Sequence, residues 1–178
     1  GNPMALNFSH SVLKGSDLSY ANLAGVNFFG ADLTNVNLTG ATLDHANFIC
    51  ANLTGANLTQ ATNGTIHDYR HDSRFMGANF TGATLDRISF ICTNFNYANF
   101  TGATIKSCIF ESCCFEFNAF DNTVFIGTVM ERCQFIDIKT RQALRTTSVM
   151  LKECRICTVC NKTTIRCDCE HDYNKQRF

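Results

Sequence analysis

The chain has 178 residues, enough for one domain with a small appendage, and its fifteen basic and fifteen acidic side chains leave no formal net charge. That balance excludes a globally basic nucleic-acid binder and a surface drawn by charge to anionic membranes. No run approaches the roughly 18 uncharged apolar residues of a spanning helix, and no basic segment leads into an apolar run as in a secretory signal. Charged residues make up only 17%, Phe (16) and Cys (11) are abundant, Trp is absent, and the single proline is Pro3.

Residues 1–7 read as a start or tag, with Met4 as the natural first residue. From residue 8 a five-residue period takes over: Ala21-Asn-Leu-Ala-Gly, Val26-Asn-Phe-Phe-Gly, Ala31-Asp-Leu-Thr-Asn, Val36-Asn-Leu-Thr-Gly. A large apolar residue forms the centre of each repeat and a small one stands two places before it. The centres run Phe8, Leu13, Leu18, Leu23 and onward to Leu58, then from Phe75 through Phe80, Leu85 and Phe90 to Phe135. A period of five fits neither the 3.6 of an α-helix nor the 2.0 of a strand, but it fits a chain that turns a corner every five residues. One such side buries too little to stand alone, so the sides must stack into a column. Every fourth centre is Phe: Phe8, Phe28, Phe48, Phe75, Phe95, Phe115 and Phe135. Rings stacked along one wall account for that choice, with four repeats to the coil. Asn-x-Ser/Thr triplets at Asn37, Asn52 and Asn79 are by-products of the repeat and say nothing of glycosylation.

The pattern resembles the pentapeptide-repeat family, whose consensus is Ala-(Asp/Asn)-Leu-x-x. The resemblance implies an all-β fold, a right-handed quadrilateral β-helix. Six coils at strand spacing give a length of about 29 Å. Residues 8–63 form its first half and 75–136 its second. Between Asn63 and Phe75 the count is one repeat plus seven residues, so a loop within 64–74 leaves the wall and returns in register. Its run His67-Asp68-Tyr69-Arg70-His71-Asp72 reads as a soluble excursion; His67 and His71 would form a metal pair only on a helix.

Cys108, Cys113 and Cys133 occupy the small inward place, where a thiol fills as a small apolar group. Cys50 and Cys92 fall at corners. Past the repeat, 137–178 read as a C-terminal helix and a Cys-rich tail. Residues 141–152 are good helix formers behind Thr140 as a cap, with Ala143, Leu144, Met150, Leu151 and Cys154 as an apolar face closing the last coil. In the tail, Cys157-x-x-Cys160 and Cys167-x-Cys169 suit a structural Zn²⁺ held by four thiolates, with Cys154 and His171 as spare ligands. Free thiols and local disulfides are the alternatives.

The residue after each centre points outward. Phe29, Ile49 and Met76 therefore stack on the outside of the all-Phe wall, with Tyr97 and Phe117 following along the adjacent corner. A stripe of that kind marks a surface for a protein partner, or for a second copy in a homodimer. No nucleophile elbow, phosphate-cradling loop or zinc-protease motif is present, so a non-enzymatic interaction module is expected. Family members include bacterial effectors and adaptors, which implies a cytoplasmic location or delivery into a host cell. One branch mimics DNA and binds gyrase. Here residues 8–135 carry ten acidic and six basic residues against nine basic and five acidic beyond them, a thin charge beside one per roughly 1.7 Å of duplex. A redox or zinc-dependent role rests on the tail cysteines alone.

Overall fold

The computed structural model describes residues 6–63, 74–135, 144, 149–152 and 154–156. The chain winds as a four-walled coil in which each turn lies beside the next through parallel backbone pairing. Asn27 pairs with Asn47 and Asp32 with Asn52, twenty residues on; across the excursion the step becomes twenty-seven, as Asn47 pairs with Arg74 and Asn63 with Phe90. The step across the excursion is thus seven residues longer than elsewhere.

In the later coils the pairing lengthens into strands. β1 (Thr84–Asp86), β3 (Thr104–Lys106) and β6 (Val124–Ile126) form one sheet. β2 (Ser89–Ile91), β4 (Ile109–Glu111), β7 (Val129–Glu131) and β9 (Met150–Lys152) form the next wall, and β5 (Cys114–Phe115), β8 (Gln134–Phe135) and β10 (Arg155–Ile156) the all-Phe wall. β9 corrects the C-terminal end of the helix expected over 141–152, within which Leu144 is helical. Met150 to Lys152, on the seventh coil that Phe135 begins, instead pair with Val129 to Glu131, and Ile156 lies beside Phe135 at the start of an eighth. The open edge of β7 offers a ladder of backbone partners, and that outweighs the helix preference of three good helix formers, which amounts to only a few tenths of a kcal/mol each. Leu144 is buried in the core; the rest of the expected helix lies outside the described residues.

The core is the column itself. Phe28, Phe48, Phe75, Phe95 and Phe115 are fully buried. Their rings stack at 5.0 Å (Phe28–Phe48), 4.8 Å (Phe48–Phe75), 5.4 Å (Phe75–Phe95) and 5.3 Å (Phe95–Phe115). Phe8 and Phe135 extend the stack at 5.7 Å at either end. A coil repeat near the strand spacing of about 4.8 Å leaves each ring one ring thickness, plus a small offset, from its neighbour.

The corners explain the repeat chemistry. The residue two after each centre has positive φ, whether glycine, such as Gly55 (66°), or not, such as Tyr97 (63°) and Phe117 (52°). A left-handed residue costs about 1 kcal/mol, offset by its N–H, which bonds to the neighbouring coil, as Tyr97 N–H does to Glu116 O at 2.7 Å. An Asn or Asp before the centre tightens the corner: Asn47 Oδ1 accepts the Ile49 N–H at 3.1 Å and Nδ2 of Asn47 donates to Asn27 at 3.0 Å. The N–H of the next small residue then closes the turn onto the centre carbonyl, as Ala51 N–H does onto Phe48 O at 3.0 Å. None of the strands β1 to β8 begins with Asn or Asp. Without that side chain the backbone stays extended past the centre and the corner opens. Thr42 and Arg74 precede tight corners all the same, so the Asx contact favours the tight turn without being required for it.

Candidate interaction surface

Outward side chains take their positions from the coil register. Backbone bonds run from His10 to Phe29 O (2.8 Å), Gly30 to Ile49 O (2.9 Å) and Cys50 to Met76 O (3.0 Å), so Phe29, Ile49 and Met76 sit on successive coils of one wall as expected. Phe29 is 38% exposed, while Ile49 and Met76 are half-buried. The His10 ring closes the lower end edge-on against Phe29 at 5.3 Å. The next two places on this wall are Asn96 and Glu116, both buried and 3.5 Å apart. There the apolar character passes to the corner, where Tyr97 (46% exposed) and Phe117 (57%) stack at 5.6 Å with 25° between planes. The glycine at Gly77, one coil before Tyr97, leaves that corner free of side-chain bulk.

A second apolar patch was not anticipated. Ile109, Val129 and Met150 are paired neighbours on the wall of β2, β4, β7 and β9, and Val124 and Ile126 lie on the adjoining wall. Ile109, Val124, Ile126 and Met150 are all about half exposed. The signal was present in the residue before each centre, which changes from Asn or Thr to Ile or Val there. Beside this patch Arg132 binds Glu111 and, at 3.3 Å, Glu131.

Cys108, Cys113 and Cys133 are buried as expected, yet they do more than fill. The corners after Leu85, Phe90, Ile105, Phe110 and Met130 lack the turn bond that closes the earlier ones. Each freed centre carbonyl accepts from the inward side chain one coil later: Cys108 to Leu85 O (3.4 Å), Cys113 to Phe90 O (3.3 Å), Thr128 to Ile105 O (3.0 Å), Cys133 to Phe110 O (3.3 Å) and Cys154 to Met130 O (3.2 Å). Cys154 therefore belongs to the column, in contrast to its expected place as a spare metal ligand. Burial pushes the Cys108 thiol up to about 11 and that of Cys133 well above the ordinary range. The hydrogen bond to Cys133, and then burial, raises Cys154 as well. These thiols are inert donors rather than nucleophiles. Among the described residues no cluster of His, Cys, Asp or Glu is placed to hold a metal. Cys157, Cys160, Cys167, Cys169 and the loop histidines His67 and His71 lie outside those residues.

The family model for pentapeptide repeats matches eight copies, over residues 6–28, 27–62 and 73–111. The chain belongs to the pentapeptide-repeat family. Among solved structures it is similar to a pentapeptide repeat protein of the Arabidopsis thaliana thylakoid lumen, at 28% identity over 56% of this chain and 61% of that one, with a TM-score of 0.32. It thus spans under two thirds of that relative. It is also similar to QnrB1, a plasmid-mediated fluoroquinolone resistance protein, at 15% identity over 86% of this chain and 91% of that one, with a TM-score of 0.50. That likeness shows the shared coil and nothing finer. HetL of the cyanobacterium Nostoc, involved in heterocyst differentiation regulation, matches at 20% identity over 83% of this chain and 71% of that one, with a TM-score of 0.29. The sequence matches no curated protein. No helix among the described residues is long and apolar enough to cross a membrane.

Proposed function

We propose that this pentapeptide-repeat protein is a non-enzymatic interaction module that holds a protein partner along the edge formed by Phe29, Ile49, Met76, Tyr97 and Phe117. The observation that carries the reading is the exposed, mutually stacked pair Tyr97 and Phe117, continuing the stripe of Phe29, Ile49 and Met76. Aromatic side chains held rigidly at low entropic cost are the usual anchors of protein interfaces. The test compares the full chain with a Tyr97→Asn/Phe117→Asn variant, Asn being a residue that accepts positive φ. The variant should keep the wild-type melting temperature and bind the wild-type's captured protein partner at least roughly tenfold more weakly. Equal binding by both proteins would remove the stripe from the function.

The tail cysteines Cys157, Cys160, Cys167 and Cys169 are proposed as a structural zinc site on their spacing. Purified protein should then carry one zinc per chain, lost on Cys157→Ser/Cys160→Ser. Metal-free protein with four alkylatable tail thiols would overturn it.

A further inference from the structure

The wall of β2, β4, β7 and β9 changes character along the molecule. Its outward places before the centre hold Asn22, Thr42, Thr62 and Ser89 in the earlier coils, and Ile109, Val129 and Met150 in the later ones. Ile109 is 46% and Met150 54% exposed, with Val129 half-buried between them. The outward places after the centre carry Glu111, Glu131 and Lys152 on the same three strands. Pairing in register makes this a grid of three rows: Ile109 and Glu111 on β4, Val129 and Glu131 on β7, Met150 and Lys152 on β9. One column is apolar throughout. The other is acidic at the β4 end and basic at the β9 end.

A grid of this kind is complementary to itself when turned end over end. We propose that it pairs with the same face of a second copy of this chain, about a two-fold axis running along β7. The axis exchanges the two outer rows, so Ile109 meets the second copy's Met150 and Glu111 meets its Lys152, each contact occurring twice. Val129 lies on the axis and meets its own counterpart. Glu131 does the same, and Arg132, 3.3 Å from Glu131 and bound to Glu111 on its own chain, offsets the carboxylates brought together. Two carboxylates and two cations leave the face neutral, so the charges set register and direction more than affinity. A two-fold along the column would instead press Ile109 on Glu111 and Met150 on Lys152, desolvating charge against apolar groups. Two sheets with aligned strands pack face to face about 10 Å apart. One wall buries less than the roughly 1,200 Å² of a standard interface, which makes the pair weak and reversible. An isologous contact of this kind stops at two copies. The inference does not use the aromatic stripe, which lies on another wall.

Sedimentation equilibrium of the full chain, carried up to about 1 mM to reach weak pairs, tests it. The wild type should approach twice the chain mass. Val129→Lys, which puts two like charges on the axis, should be monomeric with an unchanged circular dichroism spectrum. Lys152→Glu and Glu111→Lys should each raise the dimer dissociation constant roughly tenfold or more. An equimolar mixture of those two variants should pair at least as well as the wild type, because both ion pairs then join opposite charges. A wild type monomeric at every concentration overturns the proposal, as does a dimer indifferent to Val129→Lys and Lys152→Glu. Dissociation by Tyr97→Asn/Phe117→Asn but not by Val129→Lys would move the contact to the stripe and equally overturn it. A monomeric wild type that loses melting temperature on Val129→Lys would assign the face to a segment of its own chain, with the same result.

Discussion

Cys113, Cys133 and Cys154 stand over one another on successive coils, each Sγ 3.2–3.3 Å from a carbonyl that its corner leaves open. An alanine in that place fills the volume and leaves a buried acceptor unsatisfied, at a cost of about 1–3 kcal/mol. Threonine, already used at Thr128 for Ile105 O, keeps a donor. Cys133→Ala should therefore lower stability to urea by about that amount, and Cys133→Thr by clearly less; equal losses would reduce the thiol to a filler. The same burial makes stability fall in alkali. The folded Cys108 thiol ionises at about 11 rather than 9.0, so its contribution is complete below pH 9 and is lost as pH rises toward 11. That loss is on the order of 2 kcal/mol. Urea midpoints measured between pH 8.5 and 10.5 should drop less for Cys108→Thr than for the wild type.

At the level of the repeat, the corner decides what each position tolerates. Gly55 has φ of +66°, and a Cβ there would fall 2.2 Å from Asn35 Oδ1, the side chain of the equivalent corner one coil before. Gly55→Ala must displace that amide and hold a left-handed alanine, so a loss of about 1–2 kcal/mol is expected in thermal melts. Phe48 touches a ring above and below, Phe28 at 5.0 Å and Phe75 at 4.8 Å. Phe48→Ala should cost about 3–5 kcal/mol by opening a cavity in mid-stack. The five-residue period made the centres and the small inward places legible residue by residue. It did not separate tight corners from open ones, because that difference depends on which carbonyl the next coil can reach. The expected helix over 141–152 failed at its C-terminal end for a related reason: Met150 to Lys152 have no strand signal of their own until β7 lies beside them.

Among the described residues the repeat centres form a single stack in which Asn63 is the exception. It occupies a centre place between Leu43 and Phe90 and is 1% exposed; its Nδ2 donates to Thr93 at 2.9 Å while Oδ1 has no partner. Asn63→Leu should raise the melting temperature, since it replaces an unsatisfied amide by apolar volume in the column; a lowered value would show that the polar group is needed where the excursion leaves the wall. The sequence by itself determined the fold, the four-repeat coil, the all-Phe wall and the seven-residue step, because each follows from a period carried by side-chain size. It also placed Phe29, Ile49 and Met76 on one wall, since stacking maps chain distance directly onto space. Only the tertiary structure decided that Tyr97 and Phe117 face one another and that the inward thiols cap open carbonyls. Those are contacts between coils twenty residues apart, and their geometry depends on how each corner settles against its neighbour rather than on what its own five residues prefer.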